Sequence, residues 1–169
     1  MNKTPHSLCT IRFTDCDPFG HLNNARYIDY FLNGRDDHLK DAYQLDLTHF
    51  YQQGVSWLVA SHEISYLRPA AYNERVILQS AVIQVGPGSL LVEMIMLDEK
   101  RSHIKAFMWS NFIHVNVKTG KKEDHSGSFV EFARSVALDD VDVSKGYQHR
   151  LKEVIDRIKQ RKGTQAQEN

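Results

Sequence analysis

Alternation of apolar and polar residues dominates the middle of the chain, and a helical period dominates its two flanks. Segments 55–67, 75–85, 90–97 and 104–117 are rich in Val, Ile, Leu, Trp and Tyr and read as four strands. Gly86-Pro87-Gly88 and the charged run 98–102 mark turns between them, and Pro69, which has no N–H to donate, ends the first. Segment 90–97 is apolar on both parities, as expected for a strand covered on two faces. In 104–117, Trp109, Ile113, Val115 and Val117 share one parity. Upstream, Leu8, Ile11 and Phe13 sit among Thr and Arg and suggest a fifth, half-buried strand entering the core.

The helical period appears first in Tyr27, Ile28, Phe31, Leu32, Leu39, Ala42 and Tyr43, the apolar face of a helix over 24–43 with Asn23 or Asn24 as its cap. Segment 46–54 suggests a short helical turn closed by Gly54. Near the C-terminus, Phe129, Phe132 and Val136 predict a helix over 128–136. Tyr147, Leu151, Val154, Ile155 and Ile158 predict another over 144–160, capped by Asp142 or Ser144 and with Gly163 beyond its end. The remaining 164–169 reads as a polar, frayed tail. One early helix followed by consecutive strands predicts an α+β domain in which a five-stranded antiparallel sheet wraps a long central helix.

Between strand and helix, residues 15–23 hold two acids, Pro18, Gly20, His21 and Asn23, each a turn former for its own backbone reason. This loop delivers carboxylates to a helix N-terminus, whose free N–H groups carry partial positive charge and can hold a developing oxyanion. A carboxylate just upstream can attack a carbonyl or activate water there, while simple turn capping by Asp15 and Asp17 accounts equally for their presence. Cys16 beside His21 has no nearby cation to lower its pKa, so a thiolate nucleophile is disfavoured. An aspartyl-phosphate reading of Asp15-Cys16-Asp17 requires a parallel βα repeat that this pattern lacks.

Composition narrows the classes. Hydrophobic residues make up 41% of 169, enough for a single core that buries about 70% of the unfolded surface. Basic and acidic residues number 21 each, which argues against gripping a phosphate backbone, so no nucleic-acid partner is expected. No apolar run approaches membrane-spanning length, and residues 1–6 lack the apolar core of a signal peptide. Cys9 and Cys16 flank an extended segment that a disulfide would oppose, so free thiols in a reducing cytoplasm are expected. The nine His residues show no metal-ligand spacing, His103 and His114 being isolated in the strand region, so no metal site is expected.

The run Asp15-Cys16-Asp17-Pro18-Phe19-Gly20-His21-Leu22-Asn23-Asn24, with Tyr27 after it, resembles the active-site loop of the 4-hydroxybenzoyl-CoA thioesterase family, hotdog-fold acyl-CoA thioesterases. Tyr66-Leu67-Arg68-Pro69-Ala70 followed by Tyr72-Asn73-Glu74, and Thr119-Gly120, extend the likeness over residues 8–125. The resemblance implies a hotdog domain over 1–125 and a C-terminal helical extension over 126–169 packed on the same domain. It implies an acyl-CoA thioesterase with Asp17 as nucleophile or general base and the Asn24 N–H polarising the thioester carbonyl. Gly20, His21, Asn23, Tyr27 and Arg68 then organise the loop or bind substrate, with His21 expected to hold the loop through hydrogen bonds. Arg68, Lys100, Arg101, Lys121 and Lys122 are candidates for the coenzyme A phosphates. No cofactor is implied, coenzyme A being part of the substrate, and the assembly implied is a homodimer or a dimer of dimers. Two other readings are an acyl-carrier-protein thioesterase and a non-catalytic acyl-ligand binder.

Overall fold

The structure, a computed structural model, describes residues 1–167. Five strands, β1 (His6–Thr10), β2 (Val55–Tyr66), β3 (Arg75–Gly86), β4 (Ser89–Asp98) and β5 (Ile104–Asn116), form one sheet in the order β1-β3-β4-β5-β2. Every neighbouring pair is antiparallel. The consecutive strands β3, β4 and β5 make a meander, and the two strands that precede them in sequence supply the edges. The helices are α1 (Arg26–Tyr43), α2 (Leu47–Gln52), α3 (Gly127–Val136) and α4 (Tyr147–Gln167).

Helix α1 lies across the inner face of the sheet. Tyr27 and Phe31 are fully buried against Leu78, Met94 and Met108, while Ile28, Leu32 and Leu39 pack at its flank. Gly34 lets the helix approach β3 closely: a Cβ there would stand 2.8 Å from Leu78 Cδ1. The buried side of α1 also carries Arg35 and His38, which the apolar pattern does not mark. Helix α3 extends the same inner core through Ala133 and Val136.

The outer face is closed by α4. Tyr147, Leu151 and Val154 bury against Ile77, Ile95, Phe107 and Trp109. The Tyr147 hydroxyl donates to Phe107 O at 2.8 Å. Below the helix, Arg150 Nε and Nη2 donate to the two carboxylate oxygens of Glu93 at 2.9 and 3.0 Å, and Trp109 Nε1 donates to the same carboxylate at 3.2 Å. Both ions are at most 4% exposed, so a bidentate pair with a third donor offsets a desolvation cost that neither charge bears alone.

Three expectations change. The first strand stops at Thr10, because its partner β3 begins at Arg75 and the pairing runs out there. Ile11 still bonds the corner at Asn73 and Glu74, but Phe13 enters a short 3-10 turn, Phe13–Asp15, and is 74% exposed. The last helix begins at Tyr147: Asp142 caps a separate turn, Val143–Lys145, and Gly146 at φ +84° breaks it from α4. That helix also continues through Gly163 to Gln167, so 164–167 is helical rather than frayed; Glu168 and Asn169 lie outside the described residues.

Candidate active site

The loop between β1 and α1 is built on its own backbone. Asp17 N donates to His21 O at 2.7 Å, and Gly20 N donates to Asp17 O at 3.0 Å. Gly20 sits at φ +77°, a conformation that L side chains rarely adopt. Inside this turn Asp17 Oδ1 accepts from Phe19 N at 2.9 Å and from His21 N at 3.1 Å. One carboxylate oxygen is thus pinned by two N–H groups, while Oδ2 has no hydrogen-bond partner among the described residues. The loop is docked by Leu22 N on Ala70 O at 2.8 Å and by Tyr72 N on Gly20 O at 2.8 Å.

Asp15 has a different place. Its Oδ2 accepts from the Tyr30 hydroxyl at 2.9 Å, whose oxygen in turn accepts from Arg12 N at 3.0 Å. Burial first, and then the bond to Asp15, hold the Tyr30 phenol protonated, with its pKa pushed up to about 12. Cys16 Sγ donates to Arg12 O at 3.3 Å, and desolvation together with Asp15 and Asp17 raises its pKa. That is the reverse of what a thiolate nucleophile needs.

At the start of α1 it is Asn23 that caps, its Oδ1 accepting from Ala25 N at 3.0 Å and its O from Arg26 N at 2.8 Å. The next residue is left open: the Asn24 N–H has no acceptor among the described residues. Its carbonyl is held by the Tyr66 hydroxyl at 2.9 Å. Tyr66 lies edge-on to Tyr27 at 5.1 Å, and the Tyr27 hydroxyl accepts from Ala70 N at 3.1 Å. The Asn24 N–H thus lies between two held carbonyls, Asn23 O on its own peptide, bonded by Arg26 N, and Asn24 O on the next, bonded by Tyr66.

Asp17, Gly20 and His21 share one turn, and Asn23, Asn24 and Tyr27 follow at the helix start. His21 contributes its backbone N–H and C=O to the turn; its ring makes no hydrogen bond among the described residues, so the imidazole is not what holds the loop. Arg68 is exposed at the end of β2 and lines a shallow cavity with Ser102, His103 and Lys159. Lys121 and Lys122 stand past the opposite end of β5, roughly 40 Å away for thirteen extended residues, so they cannot share a phosphate with Arg68.

Three supporting residues escape the sequence reading. Lys105, 7% exposed, donates from Nζ to Pro69 O at 2.9 Å and pairs with Glu74 at 2.7 Å. Glu74 also accepts from Ala71 N at 2.8 Å, so the segment that docks the loop is itself clamped. His62, on the inner face of β2, is hydrogen-bonded through Nδ1 to Ser110 Oγ at 2.7 Å, and burial lowers its pKa. A lysine within the strand-forming run Ile104-Lys105-Ala106-Phe107 is the one signal in the sequence that pointed to the clamp.

A five-stranded antiparallel sheet wrapped over one long helix is a hotdog fold. Residues 11–150 match the thioesterase-like superfamily, and the chain belongs to that family. It is 26% identical over 113 residues to the long-chain acyl-CoA thioesterase FadM of Escherichia coli, covering 66% of this chain and 83% of FadM. Its fold is similar to that of a DHNA-CoA thioesterase from Staphylococcus aureus, with a TM-score of 0.71 at 16% identity over 78% of this chain and 89% of that one. A 1,4-dihydroxy-2-naphthoyl-CoA thioesterase from Synechocystis superposes with a TM-score of 0.70 at 12% identity, over 81% of this chain and 97% of that one.

Proposed function

We propose that this protein hydrolyses acyl-CoA thioesters to the free acid and coenzyme A, with Asp17 as the reacting carboxylate. The observation that carries the reading is the pairing of an open Asp17 Oδ2 with an open Asn24 N–H across one short, backbone-fixed loop. The thioester oxygen accepts from the Asn24 N–H over the N-terminus of α1, where developing negative charge is favoured. Asp17 then either attacks the carbonyl carbon, releasing the thiol and leaving an anhydride for water to open, or takes a proton from an attacking water. Pinning Oδ1 orients Oδ2 for either role. The FadM likeness supports a coenzyme A thioester over a carrier-protein thioester, and Arg68 at the mouth of the shallow cavity suits the coenzyme A phosphates.

Two copies pairing along β2 form the working unit, alone or as a dimer of dimers. That edge exposes Leu58, Val59 and Tyr66 beside the site, and an uncovered edge strand is a liability that pairing removes. Both cysteines are free, which agrees with a cytoplasmic setting.

The test is a panel of acyl-CoA thioesters with thiol detection, run on the parent and on Asp17→Asn. The amide keeps the loop's shape but removes the charge, so turnover falls by about 10²–10⁴ with the melting temperature unchanged. Near-parental turnover by Asp17→Asn defeats the assignment. A parent that cleaves no member of the panel leaves the carrier-protein or non-catalytic reading in its place.

A further inference from the structure

Beside the site lies a cavity of about 210 Å³ that the catalytic reading does not use. Its walls are Leu32 and Leu39 of α1, Val92 and Phe112 of the sheet, and Phe132 and Val136 of α3. The C-terminal extension therefore makes one wall of the inner pocket, where Ala133 of α3 also faces it. The cavity and the candidate active site stand at different points along the same two elements, α1 and β2. Leu32 is eight residues past Asn24, about 12 Å along the helix axis. On the opposite side, β2 leads from Tyr66, bonded to Asn24, through Ile64 to Val59 in the cavity wall.

The pocket is not purely apolar. Arg35 lines it, is 8% exposed, and makes no ion pair with any carboxylate among the described residues. Its Nη1 donates to Ser80 Oγ at 3.2 Å, and its guanidinium lies 5.8 Å from the Tyr43 ring centroid. Asp36, the adjacent acid, is turned to Lys40 at 2.6 Å. A guanidinium offers five N–H donors, and a buried charge is ordinarily paired. On the outer face of this molecule the buried Arg150 does have its carboxylate, Glu93. The Arg35 charge lacks one, and it borders a largely apolar cavity.

We propose that this cavity takes the distal half of a long acyl chain whose far end carries an anionic or hydrogen-bond-accepting group, such as an ω-carboxylate, with Arg35 as its counter-ion. The proposal rests on the acyl-CoA reading above for the placement of the thioester, and on the cavity alone for the chain end.

Turnover is measured on butanoyl-CoA, hexadecanoyl-CoA and ω-carboxyhexadecanoyl-CoA with the parent, Arg35→Met, Arg35→Lys and Ala133→Phe. The parent prefers the ω-carboxy chain to the plain one by at least about tenfold in kcat/KM, the scale of a charge-assisted bond. Arg35→Met loses that ratio and Arg35→Lys retains part of it. Ala133→Phe, which fills the cavity, lowers the ratio of long-chain to butanoyl turnover for both long substrates. Calorimetric binding of hexadecanoic acid, whose own carboxylate can reach Arg35, reads the cavity without hydrolysis. It weakens at least about tenfold in Arg35→Met and in Ala133→Phe. Equal turnover of both long chains, with acid binding indifferent to Arg35→Met, overturns the proposal while hydrolysis stands. Acid binding that depends on Arg35 in a protein that cleaves no thioester upholds the cavity and sinks the hydrolase reading.

Discussion

On the outer face of the sheet, Glu93 meets Arg150 through two hydrogen bonds and takes a third from Trp109. On the inner face, Arg35 and His38 share one serine: Ser80 Oγ accepts from Arg35 and lies 2.8 Å from His38 Nδ1. The outer charges are neutralised and sealed under α4. The inner Arg35 is buried without a counter-ion and lines open space, and burial keeps the neighbouring His38 uncharged. A sheet face that only has to hold the fold can give each buried charge its counter-ion. A face that has to admit a ligand keeps groups unpaired and a cavity unfilled, and the stability given up there has to come from the other side.

The largest effect that would test this division comes from removing the outer cover. Ending the chain at Asp140 exposes Ile77, Ile95, Phe107 and Trp109, and forfeits Tyr147, Leu151 and Val154 at about 1.5–3 kcal/mol each when fully buried. The truncated protein is expected to lose its cooperative melt or become insoluble; an unchanged melting temperature would show that the outer face contributes little.

Next in size is the ion pair. Arg150→Met strands the Glu93 carboxylate and should cost about 3–5 kcal/mol in urea unfolding, whereas adding Glu93→Leu should recover most of it. Turnover per folded molecule should be the same in all three proteins. A change in kcat would mean that the faces are coupled.

Gly34→Ala probes the inner face. The added methyl meets Leu78 at 2.8 Å, and overpacking of that kind costs about 1–3 kcal/mol. Here stability and acyl-CoA turnover should fall together if α1, rather than the Leu78 side chain, gives way, because Asn24 stands just before the helix; a loss of stability with full turnover would separate helix position from the site.

The smallest effect is a dependence on pH. Burial, and next the Arg35 charge, lower the His38 pKa from 6.5 to about 4. Between those values the unfolded imidazole takes up a proton and the folded one does not, so unfolding gains protons and this share of stability drains away as pH falls from 6.5 towards 4. His38→Gln should therefore lose less melting temperature than the parent between pH 7 and pH 4.5. Equal losses would mean that His38 is free to charge in place.

Local pattern located most of the elements. The strands expected over 55–67, 75–85, 90–97 and 104–117 are Val55–Tyr66, Arg75–Gly86, Ser89–Asp98 and Ile104–Asn116, because each alternating run is bounded by its own turn residues. Helix α1 begins at Arg26 instead of residue 24, since the Asn23 cap spans a turn before the helix proper. Phe13 falls outside the strand its apolar spacing suggests, because where a strand ends depends on where its partner begins, some sixty residues on. The same reason hides the Glu93–Arg150 pair, whose members lie 57 residues apart, one a lone acid in the otherwise apolar run 90–97 and the other in α4. The loop Asp15–Asn24 was legible as a loop, but the difference between its two acids was not. Only the hydroxyl of Tyr30, fifteen residues away, distinguishes the occupied carboxylate of Asp15 from the open one of Asp17.

The strand order has a consequence for how the molecule is made. The central strands β3, β4 and β5 are joined by short hairpins, which form readily from local contacts, while both edges wait for partners far along the chain. During synthesis the loop of Asp17 and the start of α1 emerge early, yet the groups that fix them, Ala70, Tyr72 and Tyr66, follow some fifty residues later, and β2 itself waits for β5. The loop and the start of α1, translated before β2 to β5, are thus among the last parts to be ordered. In a growing chain the Asp17 loop stays undocked until β2 and the corner after it exist, so nascent fragments that present α1 alone do not yet hold that loop in its folded form.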